Sequence, residues 1–197
     1  MRAKAAAARP CLLLIDFFNP LDFTGAARVA PHAVRAARRT TLLARESRKK
    51  RYPVIYANDN FGHWDSEFSS VVASCQQRGG ASAVLAQLLA PQAGDLSVLK
   101  PRHSGFYGTP LEFLLEELRI DTLIVVGMAA ESCVMITALD AFLRQFRLWV
   151  PRDCVASETT ALRDRALAQM ERVAKAAIAP SSIGLARGVA AARARQD

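Results

Sequence analysis

The sequence predicts an α/β protein of three layers, with a six-stranded, mostly parallel sheet carrying helices on both faces. Three observations lead there. Short, almost wholly apolar runs alternate with longer segments of helical period, the order in which a parallel sheet is wound by its crossover helices. Those runs lack the polar alternation of half-exposed strands, so both of their faces are expected to be covered. Finally, 197 residues with 51% apolar and 22% charged side chains suffice for one full hydrophobic core and fall short of two ordinary domains.

Taken in order, residues 1–10 are basic and alanine-rich and read as a flexible tail. They lack the apolar stretch that a targeting segment needs. The first strand is expected over Cys11–Asp16, an apolar run closed by an acid. A helix follows over Ala33–Lys50, with Arg35, Arg38, Arg39, Arg45 and Arg48 outward and Val34, Ala37, Thr41 and Ala44 recurring on another face. The second strand is placed at Pro53–Asn58. Residues Phe61–Gly80, polar and aromatic by turns, read as a long loop or short helix near a site.

Further along, a helix over Ser82–Ala90 leads to a strand at Ser97–Lys100. The next helix, Pro110–Leu118, has a well-marked start: Thr109 and Glu112 are spaced as a capping box, proline takes the first helical position, and Leu111, Leu114, Leu115 and Leu118 share a face. Strand Thr122–Gly127, helix Ser132–Phe146, strand Arg147–Val150, helix Glu158–Arg172 and strand Ala174–Ala179 complete the pattern. The reading is therefore a single domain over 11–185, flanked by the first tail and a basic C-terminal tail at 186–197.

The formal net charge of +8 raises the question of an acidic partner. Much of the excess lies on the solvated face of the first helix and in the final tail. Aromatic residues are only 7% of the chain, and neither zinc-finger spacing nor a single-strand-binding motif accompanies the basic residues, which argues against nucleic acid. No apolar run reaches the length of a membrane span. Cys11, Cys75, Cys133 and Cys154 include no C-x-x-C pair, so a reducing, cytoplasmic setting is expected.

In a parallel sheet, ligands sit beyond the carboxyl ends of the strands. The residues expected there are Asp16, the Asn58–Asn60 run, Lys100, the Gly127–Cys133 run and Asp153. A thiol becomes a good nucleophile when it ionises, which a helix N-terminus, a neighbouring cation or a base promotes. Cys133, at the start of a helix, has Lys100 to supply the charge and Asp16 to accept its proton and return it to a leaving group. Each residue also has a plainer reading. The cysteine could be a small buried hydrophobe, the acid a turn or cap, and the lysine a solvated strand end. The joint placement favours chemistry, because an acid closing a buried strand needs a charged partner or a cleft.

The runs L-L-L-I-D-F-F-N-P, L-K-P-R-H-S-G-F-Y-G-T-P-L and L-I-V-V-G-M-A-A-E-S-C-V-M-I-T-A-L-D-A together resemble the isochorismatase-like cysteine hydrolases, a family that includes nicotinamidases and carbamoylsarcosine and ureidoacrylate amidohydrolases. The resemblance implies the same six-stranded fold, with Asp16 as general base, Lys100 as the cation supporting the thiolate, and Cys133 as nucleophile. It also implies a cis peptide at Met128–Ala129 and an oxyanion hole from the N–H groups of Ala129 and Cys133. The implied reaction is hydrolysis of a small amide or carbamoyl C–N bond through a thioester. A homo-oligomer is implied too, with the Phe142–Trp149 region as a candidate apolar surface.

One departure bears on cofactors. Nicotinamidases of the family hold a metal through an Asp-x-His pair and a further histidine, whereas here the stretch reads N-D-N-F-G-H-W, with Asn60 where the first histidine belongs. No metal or other cofactor is therefore expected. A metal-dependent nicotinamidase, an isochorismatase-type hydrolase and a non-catalytic basic binding module remain as alternatives. Phe17, Asn60, Trp64, Phe106 and Tyr107 are expected to line the substrate pocket, although each could instead pack a loop. His63 and His103 are assigned to loops, the latter ordering the segment after Lys100.

Overall fold

Strand β1 (Pro10–Ile15) is buried along its whole length because it has a parallel neighbour on each edge and helices over both faces. The structure, a computed structural model, describes residues 9–195. Most of the expected flexible N-terminal tail lies outside the described residues, and Pro10 belongs to β1. The other strands are β2 (Val54–Asp59), β3 (Leu96–Lys100), β4 (Thr122–Met128), β5 (Arg147–Trp149) and β6 (Val155–Ala156). All pair in parallel, in the order β3-β2-β1-β4-β5, and β6 pairs with β4 beyond the reach of β5.

Successive β1 side chains point to opposite faces, as strand geometry requires, and so divide the core in two. Leu12 and Leu14 join Val29, Ala33 and Leu43 of helix α1 (Ala26–Lys49), Leu85 of α3 (Gly80–Leu88) and Leu185 and Val189 of α7 (Leu185–Ala194). Cys11, Leu13 and Ile15 join Leu111 and Leu115 of α4 (Leu111–Glu117), Ala138 and Ala141 of α5 (Met135–Leu143) and Leu167 and Met170 of α6 (Thr160–Val173). The fold class is the expected one.

Several boundaries differ, each for a physical reason. Helix α1 begins at Ala26, behind Gly25 in a left-handed conformation, and runs through Pro31. Its core face is Val29, Ala33, Ala36, Ala37, Thr40, Leu43 and Ala44. The segment read as loop or short helix contains α2 (Phe68–Arg78), which ends at Gly79. Strand β3 is an edge strand and is not fully covered: Ser97 is exposed, while Val98 and Lys100 are buried. The capping box does not form, since Pro110 is the N-cap. Thr109 Oγ1 instead accepts from Leu111 N and donates to Gly105 O.

The sixth strand is not Ala174–Ala179. Only Ala177 of that run bridges to Trp149, and β6 takes the place beside β4. The region read as a basic C-terminal tail contains helix α7, whose Leu185, Gly188, Val189 and Ala192 are buried. Of the apolar surface expected near Phe142–Trp149, Phe146, Leu148 and Trp149 are core and Leu143 is exposed. No described helix is long and apolar enough to cross a membrane.

Candidate active site

The carboxyl edge of the sheet brings three reactive side chains together from three strands. Asp16 follows β1 at φ 51°, which turns its side chain from the strand into the edge. There its Oδ1 accepts from Asp59 N at 2.6 Å and its Oδ2 pairs with Lys100 Nζ at 2.7 Å. The chain beyond is clamped by Asn58, which accepts from Phe18 N and donates to Phe18 O. Lys100 ends β3, two strands from β1, and its long stem carries the ammonium across the end of β2. It is fully buried, donating to Arg102 O at 3.1 Å and lying 3.6 Å from Cys133 Sγ and 3.7 Å from Asp59 Oδ2.

Cys133 is positioned by an unusual exit from β4. Gly127 lies so close to β1 that a Cβ there would stand 2.1 Å from Ile15 O. Its φ of 139° also disfavours any side chain. The next peptide but one, Met128–Ala129, is cis, as the resemblance implied. A π-helical turn over Ala130–Val134 then leads into α5, with Ala129 O accepting from both Ser132 N and Val134 N. π-Turns concentrate at functional sites, and this one presents the sulfur to Lys100 and to His103 Nδ1, 3.6 Å away.

The electrostatics revise one expectation. Burial and the Asp16 carboxylate push the Cys133 thiol up to about 12, and the Lys100 ammonium only partly opposes them. The helix start and the cation therefore do not leave a standing thiolate. Burial raises Asp16 as well, with Lys100 opposing. For Lys100 burial pulls down, but Asp16, the sulfur and Asp59 outweigh it, so the ammonium stays charged. The site thus sets the Cys133 thiol beside the Asp16 carboxyl group, which the Lys100 ammonium favours in its ionised, proton-accepting form.

A cavity of about 400 Å³ opens onto the sulfur. Asp16, Asp59, His103, Ser132 and Cys133 form its reactive end, Phe23, Val29, Phe61 and Met128 an apolar wall, and Glu131 and Glu158 an acidic border. None of the five residues expected to contact substrate lines it. Phe17, following Asp16 at its positive φ, is buried in the core cluster that includes the apolar face of α1. Asn60 is buried, and its Oδ1 accepts from Gly62 N in a tight turn. Phe106 stacks on Phe146, centroids 6.0 Å apart, under the Arg144 guanidinium. Trp64 and Tyr107 are 79% and 64% exposed and are not part of the cavity lining.

The residues missed are Phe23, Phe61, Glu131 and Glu158. Glu131 carried a signal, standing two positions before the cysteine. Glu158 carried none, since it arrives from the loop after β6.

The metal that the nicotinamidase branch would imply does not fit these residues. Asp59 Oδ1 accepts from Phe61 N, its Oδ2 faces Lys100, and the amide of Asn60 is committed to its own turn. Among the described residues no group of three or more His, Cys, Asp or Glu could hold a metal ion.

Fold and site together define a three-layer α/β protein of parallel sheet with a thiol at the carboxyl edge of that sheet. The chain belongs to the isochorismatase family, whose domain model matches residues 10–180. It is 32% identical over 162 residues to an uncharacterised isochorismatase family protein of Bacillus subtilis, covering 82% of this chain and 88% of that one. It is 30% identical to the maleamate amidohydrolase of Pseudomonas putida, covering 75% and 72%. Among solved structures, the N-carbamoylsarcosine amidase of Thermoplasma acidophilum superposes with a TM-score of 0.66 at 28% identity, covering 88% of this chain and 96% of that one.

Proposed function

We propose that the protein is a cysteine amidohydrolase that cleaves the C–N bond of a small amide or carbamoyl compound through a thioester. One observation carries the reading: Asp16, Lys100 and Cys133 meet in a single hydrogen-bonded set at the mouth of a cavity of substrate size. The amidohydrolase relatives support the bond type.

The geometry suggests the following course. As Sγ attacks the carbonyl carbon, Asp16 takes the thiol proton, so the nucleophile is ionised only while it is being used. The oxyanion is assigned to the N–H groups of Ala129 and Cys133, at the cis peptide and in the π-turn. Asp16 then protonates the departing nitrogen, the C–N bond breaks, and ammonia or an amine leaves a thioester on Cys133. Water gives a proton to Asp16 as its oxygen attacks the thioester carbon. The C–S bond breaks, the sulfur regains its proton from Asp16, and the acid departs. Throughout, Lys100 holds Asp16 in place and stabilises whichever partner is anionic. The four free cysteines, three of them buried, suit a compartment that keeps thiols reduced.

The test is ammonia release from a panel of small primary amides, carbamoyl compounds and nicotinamide. Turnover of at least one member by the wild type and its loss in Cys133→Ala, with circular dichroism unchanged, is the expected result. Equal turnover by the two proteins would overturn the assignment.

A further inference from the structure

The charged groups around the thiol are mostly acids. Among the described residues lining the cavity, His103, which faces the sulfur, is the only basic one; Lys100 lies behind the lining, wholly buried and engaged by Asp16, Asp59, the Arg102 carbonyl and the sulfur. Glu131, two residues before the nucleophile, has no ion pair among the described residues. Its Oε2 accepts from Ser157 Oγ at 2.5 Å, which leaves Oε1 without a hydrogen bond.

A guanidinium from outside the lining, that of Arg28, reaches Glu158 at the border and is paired with it. Arg28 Nε and Nη2 both hold Glu158 Oε2, at 2.8 and 2.7 Å. The backbone admits this arrangement. Gly25 opens α1 at φ 94°, and a Cβ there would lie 2.0 Å from Glu158 Oε1. The chain's own carboxylate thus sits on the arginine that could have received one from a ligand.

Resting on the amidohydrolase reading, we infer that the substrate is a small amide with a short apolar body, ending in a cation or a neutral hydrogen-bond donor directed at Glu131, and that amides bearing a carboxylate are rejected. The body lies against Phe23, Val29, Phe61 and Met128. A carboxylate entering there would lose its hydration among Asp59, Glu131 and Glu158, with Lys100 wholly buried behind Asp16 and Arg28 already paired with Glu158, a burial beside like charges that costs more than a lost contact. Selectivity of this kind works by repulsion of the wrong substrate as much as by attraction of the right one.

Three primary amides of similar length separate the possibilities: β-alaninamide (cationic), 3-hydroxypropionamide (a neutral donor) and succinamate (anionic). The first two should exceed succinamate in kcat/KM by about tenfold or more. A measurement independent of turnover uses a cationic and an anionic methanethiosulfonate on Cys133, each normalised to a small free thiol, with Cys133→Ala as the blank. The cationic reagent should react faster by a similar factor. Glu131→Gln should narrow both ratios, and Glu158→Gln, by releasing Arg28, should raise succinamate turnover. Preferred hydrolysis of succinamate, or an anionic reagent that reacts as fast as the cationic one, overturns the inference. Cationic preference in labelling with no ammonia from these three amides or from any member of the panel above would sink the amidohydrolase reading and leave the charge preference of the cavity standing.

Discussion

At Cys133 two charges of opposite sign act on one sulfur, the Asp16 carboxylate raising its pKa and the Lys100 ammonium lowering it. Asp16→Asn removes a cause that raises the thiol and leaves the one that lowers it, so the thiol should titrate below about 12. Turnover should nevertheless fall by about 10²–10⁴, the usual contribution of a positioned proton acceptor. A pH titration of thiolate absorbance beside the ammonia assay checks both, and a thiol pKa that stays or rises would contradict the electrostatic account. The meeting of Asp16, Lys100 and Cys133 was legible in the sequence because an acid and a lysine closing apolar strands need partners once buried. The pocket wall was not. Phe17 and Phe106 stand near strand ends in sequence, yet side-chain direction depends on how the chain turns after the strand, and both turn into the core.

Among the elements, helix α7 shows how a segment rich in alanine and arginine can be structural. Gly188 lets it lie directly on Trp149, a wholly buried ring whose Nε1 donates to Ala179 O. A Cβ at Gly188 would come within 2.3 Å of that ring. Gly188→Ala should therefore lower unfolding free energy by about 1–2 kcal/mol in urea, the overpacking cost exceeding the helix-propensity gain. The loss should shrink in a Trp149→Leu background if the ring is its cause. Small residues hid this helix, because their value lies in close approach rather than in hydrophobic periodicity. Other boundaries failed for related reasons. Pro31 concealed the first turn of α1, and the apolar run at 174–179 has the composition of a strand while contributing one bridge.

On the scale of the whole molecule, the parallel sheet was legible because buried strands read as unbroken apolar runs; β3 was read too, at Ser97–Lys100, but lies at the edge and is not covered throughout. The formal net charge of +8 is a property of this scale too. Like charges repel across the folded surface, and salt screens that repulsion. Ion pairs such as Arg28–Glu158 and Arg78–Asp22 are substantially exposed and lose little by the same screening. Raising NaCl from a few millimolar to physiological strength should lift the Tm by about 2–4 °C, the shift that ~1 kcal/mol produces in a domain of this size. A Tm that falls with salt would mean that the ion pairs outweigh the net charge.

The burial of Lys100 and Asp16 beside the half-buried Cys133 has a consequence for proton bookkeeping. Thiol, carboxylate and ammonium sum to zero charge, and so do thiolate, carboxylic acid and ammonium. Moving the proton from sulfur to oxygen therefore shifts an anion from one flank of a fixed cation to the other without altering the charge enclosed. Burial disfavours both anions and raises Cys133 and Asp16 alike. Much of that penalty cancels in the transfer between them, so a thiol that water would rarely ionise at this depth can be ionised by its neighbour.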